Sequence, residues 1–279
     1  MSIAIVTGGA SGIGRAIAAS LVTRGDTVLV TDINAAGAAQ VAEKLNAAGP
    51  GKAFSATLDV TDAAAVAAAY QAFHAEHGRL DLVFNNAGIA IGGLAEELTL
   101  DHWNRAIDIN LKGVVHGVDA AYRIMLKQGS GHIVNTASMA GLVPMPMGIP
   151  YTATKHAVVG LSLGLRAEAA GRGIKVSVVC PSFVDTPLLT NINPDLPETP
   201  MSGDAKADIK QAQPKLYTAE KLARDIIRGV EKNHALIVAP ASARIAWRGA
   251  RLTPTGAVRV AQFAVDRFRS QVLGPRRLG

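Results

Sequence analysis

The chain has 279 residues, which suits one α/β domain and is long enough to bury a large core. Hydrophobic residues make up 49% and aromatic residues only 4%, so we predict a core of small aliphatic side chains. The single cysteine, Cys180, excludes a disulfide framework or a metal cluster built from cysteines, and it favours a reducing, cytoplasmic location. The net charge of +6 is unevenly placed: residues 241–279 contain eight arginines and one acid, which leaves a nearly neutral body and argues against a nucleic-acid-binding surface over the whole chain.

Strands and helices alternate along the chain to residue 240. Strands are predicted over residues 2–7, 27–32, 52–59, 80–84, 132–137, 175–180 and 235–238, and helices over 11–24, 35–47, 63–77, 100–127, 151–170 and 218–231. Strands that alternate with helices of this length imply right-handed crossovers and a parallel sheet covered on both faces. The predicted fold is therefore α/β, a doubly wound, Rossmann-like single domain over residues 1–240. The N-terminus shows no secretory signal, and no apolar run approaches the ~20 residues that span a bilayer.

Residues 182–214 interrupt this alternation. They are rich in proline, polar and small residues, and a loop of this length in a compact domain is usually functional or disordered. We predict that it is a lid over the active site.

Residues 241–279 are predicted to form a basic, helical C-terminal extension. Val260, Ala264 and Phe268 fall on one helical stripe, which indicates an amphipathic helix. Such a helix can lie on an anionic membrane surface, cover the active site or pair with another subunit, and we favour peripheral membrane or subunit contact. The alternative is a solvated helix whose arginines lie over the domain. No stacking platform or reading helix favours nucleic-acid binding.

A glycine-rich turn joins the first predicted strand to the first helix. Gly8, Gly12 and Gly14 allow a ligand to approach the backbone, and the helix that follows offers free N–H groups to a pyrophosphate. A glycine cluster at this place in a βαβ unit predicts a dinucleotide site.

Asp32 ends the second predicted strand, eighteen residues after Gly14. A carboxylate there can accept the two ribose hydroxyls of adenosine and repels a 2′-phosphate. Because neither Ile33 nor Ser11 supplies a cation for that phosphate, the sequence favours NAD over NADP.

Tyr151 and Lys155 stand four residues apart in a helical pattern, so both side chains can point into one pocket. A phenol titrates near pH ~10 and needs a nearby positive charge to exchange protons readily at neutral pH. Lys155 is a candidate for that charge.

Together these motifs resemble the single-domain branch of the short-chain dehydrogenase/reductase family over roughly residues 2–238. The chain carries the family's Thr-Gly-x-x-x-Gly-x-Gly signature at residues 7–14, its Asn-Asn-Ala-Gly at 85–88, and its Tyr-x-x-x-Lys at 151–155. One departure is Ser182, where the family usually has glycine after the proline matched by Pro181.

The resemblance implies a set of four catalytic residues. Tyr151 would be the general acid/base, Ser138 would hold the same substrate oxygen, Lys155 would lower the pKa of Tyr151 and bind the nicotinamide ribose, and Asn110 would anchor a water that relays the proton. Asp59 is matched to the adenine-binding Asp, and Thr186 to the threonine beside the nicotinamide. Cofactor contacts are expected at Gly8, Ser11, Gly12, Ile13, Gly14, Asp32, Ile33, Asp59, Val60, Asn86, Ala87, Gly88, Tyr151, Lys155, Pro181, Val184 and Thr186.

The substrate is predicted to be a hydrophobic secondary alcohol or ketone. The segment between Ser138 and Tyr151 has almost no polar side chains, and flexible methionines adapt to irregular apolar shapes. Pocket residues are expected at Met139, Met145, Met147, Leu188 and Leu189, with Met201 beside them on the lid. The alternative is that these residues only pack the loop against the domain.

The sequence therefore predicts an NAD-dependent oxidoreductase with no metal. An NADP-dependent carbonyl reductase and a catalytically silent dinucleotide-binding redox sensor are the alternatives. The resemblance also implies a homo-oligomer, a dimer or tetramer, in contact through the helices at 100–127 and 151–170.

Overall fold

Seven parallel strands form the central sheet of this computed structural model, which describes residues 1–207, 209 and 215–272. The strands are β1 (Ile3–Thr7), β2 (Thr27–Asp32), β3 (Lys52–Thr57), β4 (Leu82–Asn85), β5 (Gly131–Thr136), β6 (Ile174–Pro181) and β9 (Leu236–Ala239). Their order is β3-β2-β1-β4-β5-β6-β9, and every neighbouring pair is parallel. The chain reverses direction across the sheet between β1 and β4, which is where ligands bind in such folds, at the carboxyl ends of the strands.

Helices cover both faces of the sheet. They are α1 (Gly12–Thr23), α2 (Ala35–Ala48), α3 (Ala63–His77), α4 (Leu100–Ala106), α5 (Gly113–Gln128), α6 (Ile149–Glu168) and α7 (Ala219–Glu231). One core packs α1, α2 and α7 on the sheet, and two others pack α3, α5 and α6 on the opposite face. The central strands are buried on both faces, which explains their continuous apolar runs. The predicted doubly wound α/β fold is thus confirmed.

The predicted helix over residues 100–127 is divided in the structure. A π-helical segment, Ile107–Lys112, separates α4 from α5, and its wider turn contains the buried Asn110. Single π-helical turns within α-helices are rare and occur often at functional sites. Hydrophobic periodicity cannot reveal such a segment, since the flanking helices keep their apolar faces.

The predicted lid, as far as the structure describes it, lies against the loop that follows β4. Two short strands, β7 (Val184–Asp185) and β8 (Tyr217–Thr218), pair at its base. Between them, Asn193 donates to the Gly92 carbonyl at 2.7 Å and accepts from the Gly92 amide at 2.9 Å. Residue 208 and residues 210–214 of the predicted lid lie outside the described residues.

Two helices follow β9, as predicted for a helical C-terminal extension. They are α8 (Ala241–Leu252) and α9 (Pro254–Val272). Arg276 and Arg277 lie outside the described residues. Within the described ranges, no helix is both long and apolar enough to cross a membrane.

Candidate active site

The glycine turn brings the start of α1 against two other segments of the chain. Gly8 and Gly12 have φ angles of 64° and 50°, in the left-handed region that favours glycine. A Cβ at Gly14 would overlap the carbonyl oxygen of Gly8, so a side chain there would push the helix off the turn. A Cβ at Gly12 would lie 3.2 Å from Thr186, which places that predicted cofactor residue directly across the turn.

Asp32 is held by backbone N–H groups at the end of β2. Its carboxylate accepts from the amide of Ala10 in the glycine turn and from that of Asn34, each at 3.0 Å. The neighbouring Ile33 is 65% exposed. The Asp32 carboxylate therefore holds the glycine turn in place, and the adjacent Ile33 side chain is exposed to solvent.

Thr7 connects the glycine turn to the segment after β4. Its hydroxyl accepts from the amides of Asn86 and Ala87 at 2.9 and 3.1 Å, and the Asn86 side chain donates to the Thr7 carbonyl at 3.1 Å. This network explains why a threonine starts the glycine signature: one hydroxyl fixes the spacing of two loops.

Asp59 and Val60 form the next part of the wall. The carboxylate of Asp59 accepts from the amide and hydroxyl of Thr61 at 2.9 and 2.8 Å, so it holds its own turn. The Val60 carbonyl lies 2.9 Å from Nδ1 of His116, which must therefore donate to it.

Ser138 and Tyr151 lie side by side at the end of β5 and the start of α6. The Ser138 hydroxyl accepts from the amide of Ala140 at 3.1 Å and is hydrogen-bonded to the Tyr151 phenol. Burial raises the pKa of Tyr151 above its usual value of 10.0, and the hydrogen bond to Ser138 partly offsets that rise.

Lys155 is almost fully buried beside Tyr151. Its Nζ donates to the Thr136 carbonyl at 3.0 Å and lies 5.5 Å from the centre of the Tyr151 ring. Burial lowers the pKa of Lys155 from 10.5 to about 8. The predicted lowering of the Tyr151 pKa by Lys155 stays a prediction; the net pKa of the phenol is raised because its burial dominates.

Asn110 does not face the open cavity. Its side chain accepts from the amide of Ile89 at 2.9 Å and donates to the Ile89 carbonyl at 3.0 Å. A Cβ on Gly88 would meet both the Asn110 side chain, at 2.9 Å, and Nζ of Lys155, at 3.5 Å. Asn110 thus holds the backbone next to Lys155.

Cys180 lies buried near Tyr151 and Lys155. Burial raises the pKa of its thiol to about 12, and the nearby Lys155 ammonium partly offsets the rise. The thiol therefore stays protonated at neutral pH.

One cavity of about 810 Å³ joins nearly all the predicted site residues. Gly14 and Asn110 do not line it and act through the neighbours described above. The predicted cofactor and catalytic residues on its wall are Gly8, Ser11, Gly12, Ile13, Asp32, Ile33, Asp59, Val60, Asn86, Ala87, Gly88, Ser138, Tyr151, Lys155, Pro181, Val184 and Thr186.

The five predicted substrate-pocket residues line the same cavity: Met139, Met145, Met147, Leu188 and Leu189. Met201 lies there too. The sequence reasoning missed Arg105 and Ile109, which stand four residues apart on one helical face, and it missed that α9 adds Ala264, Arg267 and Phe268 to the wall. Of the three roles considered for the C-terminal helix, only covering the active site is consistent with Ala264, Arg267 and Phe268 in the cavity wall. Among the described residues, no three His, Cys, Asp or Glu side chains are grouped as a metal site.

Known proteins resemble this chain in sequence and in fold. A family model described as short chain dehydrogenase matches residues 2–197. The chain is 43% identical over 187 residues to a D-threitol dehydrogenase of Mycolicibacterium smegmatis, which covers 67% of this chain and 71% of that protein. It is 37% identical over 193 residues to the 3-oxoacyl-(acyl-carrier-protein) reductase FabG of Vibrio harveyi, an alignment that covers 69% of this chain and 78% of that protein. A short chain dehydrogenase/reductase structure from Burkholderia phymatum in complex with NAD has a TM-score of 0.80 at 31% identity, covering 88% of this chain and 92% of that chain.

Proposed function

Because the chain belongs to the short-chain dehydrogenase family, a family of oxidoreductases, we propose that it is an NAD-dependent enzyme that interconverts a hydrophobic secondary alcohol and its ketone. The observation that carries this proposal is the shared cavity: the Tyr151 phenol opens onto the same space as the glycine turn and Asp32. Such a juxtaposition puts a proton donor next to a dinucleotide cradle.

The residues present fit a dinucleotide. A Cβ at Gly8 would lie only 2.9 Å from the Cα of Ala87, so any side chain there would clash with the backbone. Glycine at this position keeps the turn open. The free N–H groups at the start of α1 suit a pyrophosphate. Asp32, braced by two amides, would hold the adenosine ribose, and Lys155 the second ribose.

We assign NAD in preference to NADP on the charge near Asp32. Among the described residues that line the cavity, the cations are Arg105, Lys155 and Arg267, and none belongs to the β2–α2 turn. A 2′-phosphate there would meet a carboxylate without a counter-ion. The similar Burkholderia phymatum structure, which contains NAD, agrees with this assignment.

Titration of NADH and NADPH against the protein, followed by nucleotide fluorescence, tests the cofactor. We expect tighter binding of NADH, and a reversal of the preference in a variant that combines Asp32→Ser with Ile33→Arg. An Asp62→Ser variant, altered at the N-cap of α3, is the control. Equal or tighter binding of NADPH by the wild type would favour the NADP-dependent carbonyl reductase.

In the proposed reaction, a dinucleotide held by these residues would supply hydride to the ketone carbon or accept it from the alcohol. The developing negative charge on the substrate oxygen needs a hydrogen bond and a proton. Tyr151 would donate its phenolic proton to that oxygen in reduction and take it back in oxidation, and Ser138 would hold the same oxygen. Asn110 would keep the Ile89 backbone, and with it the surroundings of Lys155, in place.

The apolar cavity wall supports a hydrophobic substrate. A polyol dehydrogenase is the second candidate, because the similar protein of Mycolicibacterium smegmatis is a D-threitol dehydrogenase. The family match ends at residue 197, however, whereas Met201, Ala205, Ile209 and Phe268 of the cavity wall lie beyond it. The family match therefore covers only part of the cavity wall, so this likeness alone does not identify the substrate.

A screen of alcohols with NAD and of ketones with NADH, read as NADH absorbance, tests the function. We expect a higher kcat/KM for 2-decanol than for D-threitol, and a fall of about 10²- to 10⁴-fold in both values in Tyr151→Phe. The opposite order would favour the polyol dehydrogenase. If wild type and Tyr151→Phe were equally inactive on every compound while still binding NADH, the catalytically silent sensor would be the better proposal.

We further propose a homo-oligomeric, cytoplasmic enzyme. Leu126 on α5, and Ile149 and Leu163 on α6, are large apolar residues between 36% and 41% exposed, which suits helices that meet a second subunit.

Peripheral membrane contact through the C-terminal extension stays a prediction. The exposed residues of that extension include Ile245 and Phe263, which are 73% and 71% exposed. Oligomer mass and liposome co-sedimentation of an Ile245→Ser, Phe263→Ser variant test that extension, and no change in either would contradict it.

A further inference from the structure

Helix α9 reaches the cavity from the far end of the chain. Ala264, Arg267 and Phe268 line the cavity at i, i+3 and i+4 spacing, which is one helical face. The preceding member of the predicted stripe, Val260, is 72% exposed. The stripe therefore divides: its C-terminal part faces the site, and the rest faces outward.

An ion pair holds this helix at the rim. Nη2 of Arg269 lies 3.0 Å from Oε1 of Glu96, in the loop after β4. That loop is in turn tied to the lid through the paired hydrogen bonds of Asn193 and Gly92. The loop, the lid and α9 thus meet on one side of the cavity.

Arg267 is the cation that α9 adds to the cavity wall. Of the other two cations that line the cavity, Lys155 is bonded to Thr136, and Arg105 belongs to α4. The side chain of Arg267 makes no hydrogen bond or ion pair with the residues that the structure describes.

A guanidinium without a counter-ion next to apolar groups restricts what can fill the space. The Met145, Met147 and Phe268 side chains share the cavity with it. Arg267 is exposed, so water solvates its charge in the free protein, and a neutral ligand that covers it replaces that water without supplying a counter-ion, which is costly. A ligand carboxylate removes that cost, since the planar guanidinium can bond both of its oxygens.

We propose that Arg267 is an anion subsite, so that the substrate is a long-chain oxo or hydroxy compound with a carboxylate at the end remote from the reacting carbon. This inference rests on the proposed function and names its substrate class. Asp195, an acid that also lines the cavity, belongs to the lid and makes no hydrogen bond or ion pair with the described residues. It offers the competing role for Arg267, a latch that pairs with Asp195 when the lid closes.

The binding test uses decanoate and 1-decanol with the NADH-saturated protein, measured by calorimetry. We expect decanoate to bind more tightly than decanol in the wild type, and Arg267→Gln to lose about 10- to 100-fold of affinity for decanoate only. Arg259→Gln is the matched control, because Arg259 is an exposed arginine of the same helix that does not line the cavity. Asp195→Asn should bind decanoate as tightly as the wild type or more tightly, because it removes an acid that could compete for Arg267.

The turnover test compares 9-oxodecanoate with its methyl ester. The wild type should prefer the acid in kcat/KM, and Arg267→Gln should lose that preference while it keeps its rate on the ester. The inference is wrong if the preference is absent or survives in Arg267→Gln, or if Asp195→Asn reproduces the loss on both compounds, which is the behaviour of a latch. Loss of decanoate affinity in Arg267→Gln together with no turnover of any ketone would instead leave the anion subsite standing and overturn the proposed function.

Discussion

The phenol of Tyr151 experiences two opposing influences. Burial favours its neutral form, and the hydrogen bond to Ser138 favours the phenolate, with burial the stronger. At neutral pH the phenol is therefore protonated, which is the state that reduction of a ketone requires. Oxidation of an alcohol needs the phenolate and should become faster as the pH rises.

Replacing Tyr151 by Phe removes the transferable proton and keeps most of the ring packing. We expect kcat/KM for ketone reduction to fall by about 10²- to 10⁴-fold, as for other general acids. Affinity for NADH should be nearly unchanged. Tyr122→Phe, at a partly buried position on α5, is the control and should keep full activity. A Tyr151→Phe enzyme with more than a tenth of the wild-type rate would remove Tyr151 from the proposed role.

Lys155 should leave a signature in both activity and stability. Its pKa is lowered by burial to about 8, so the ammonium loses its proton as the pH passes that value. We expect kcat/KM for ketone reduction to decline above about pH 8. A profile that is flat to pH 10 would show that the charge of Lys155 is not needed.

The stability effect of Lys155 has a defined sign. Because the folded pKa lies below the unfolded value, the unfolded chain binds more protons between about pH 8 and 10.5, and stability rises with pH there. Burial of the charged form thus costs up to about 3 kcal/mol below pH 8. Urea unfolding should show wild type gaining stability relative to Lys155→Met between pH 8 and 10; a constant difference would contradict the shift.

At the scale of elements, the turn into α1 depends on close backbone contact. A Cβ at Gly14 would overlap the Gly8 carbonyl, whereas Gly160, within α6, has open space around it. Two glycines in helices thus have opposite significance. The first permits the cradle; the second only lowers helix propensity.

Gly14→Ala should weaken NADH binding strongly and reduce the free energy of unfolding by about 1–3 kcal/mol, since backbone must shift to admit the methyl group. Gly160→Ala, the matched control, should raise that free energy by up to about 1 kcal/mol and leave NADH binding unchanged. Calorimetric titration and urea unfolding measure the two effects. Normal NADH affinity in Gly14→Ala would contradict the tight packing of this turn.

The elements also show why some features followed from sequence and others did not. The glycine turn and the Tyr151–Lys155 spacing are local patterns, so their positions on strand ends and on α6 could be predicted. The burial that sets the pKa of Tyr151 is a property of the packed site, as is the bond between Lys155 and Thr136. The π-helical segment contains Asn110, which is hydrogen-bonded to the Ile89 backbone, 21 residues away along the chain.

At the scale of the whole molecule, two distant parts of the chain contribute to the cavity wall. The segment matched by the family model ends at residue 197, and α9 closes the cavity from residues 264–268. Periodicity predicted an amphipathic C-terminal helix but could not predict what it would face. That contact brings together residues far apart along the chain, such as Arg269 and Glu96, which pair across 173 residues.

Phe268 tests whether α9 contributes to substrate binding. Truncation to Ala should raise KM for 2-decanone by about tenfold or more, because burying a Phe side chain against a ligand is worth about 1.5–3 kcal/mol. The kcat, the affinity for NADH and the KM for propanone, which is too short to need that wall, should stay close to wild type. Phe263→Ala is the matched control, since Phe263 lies on the same helix, is 71% exposed and does not line the cavity. Equal effects of the two substitutions, or none, would mean that α9 only covers the entrance. An increase confined to Phe268→Ala and to long-chain ketones would assign substrate length selection to the C-terminal helix.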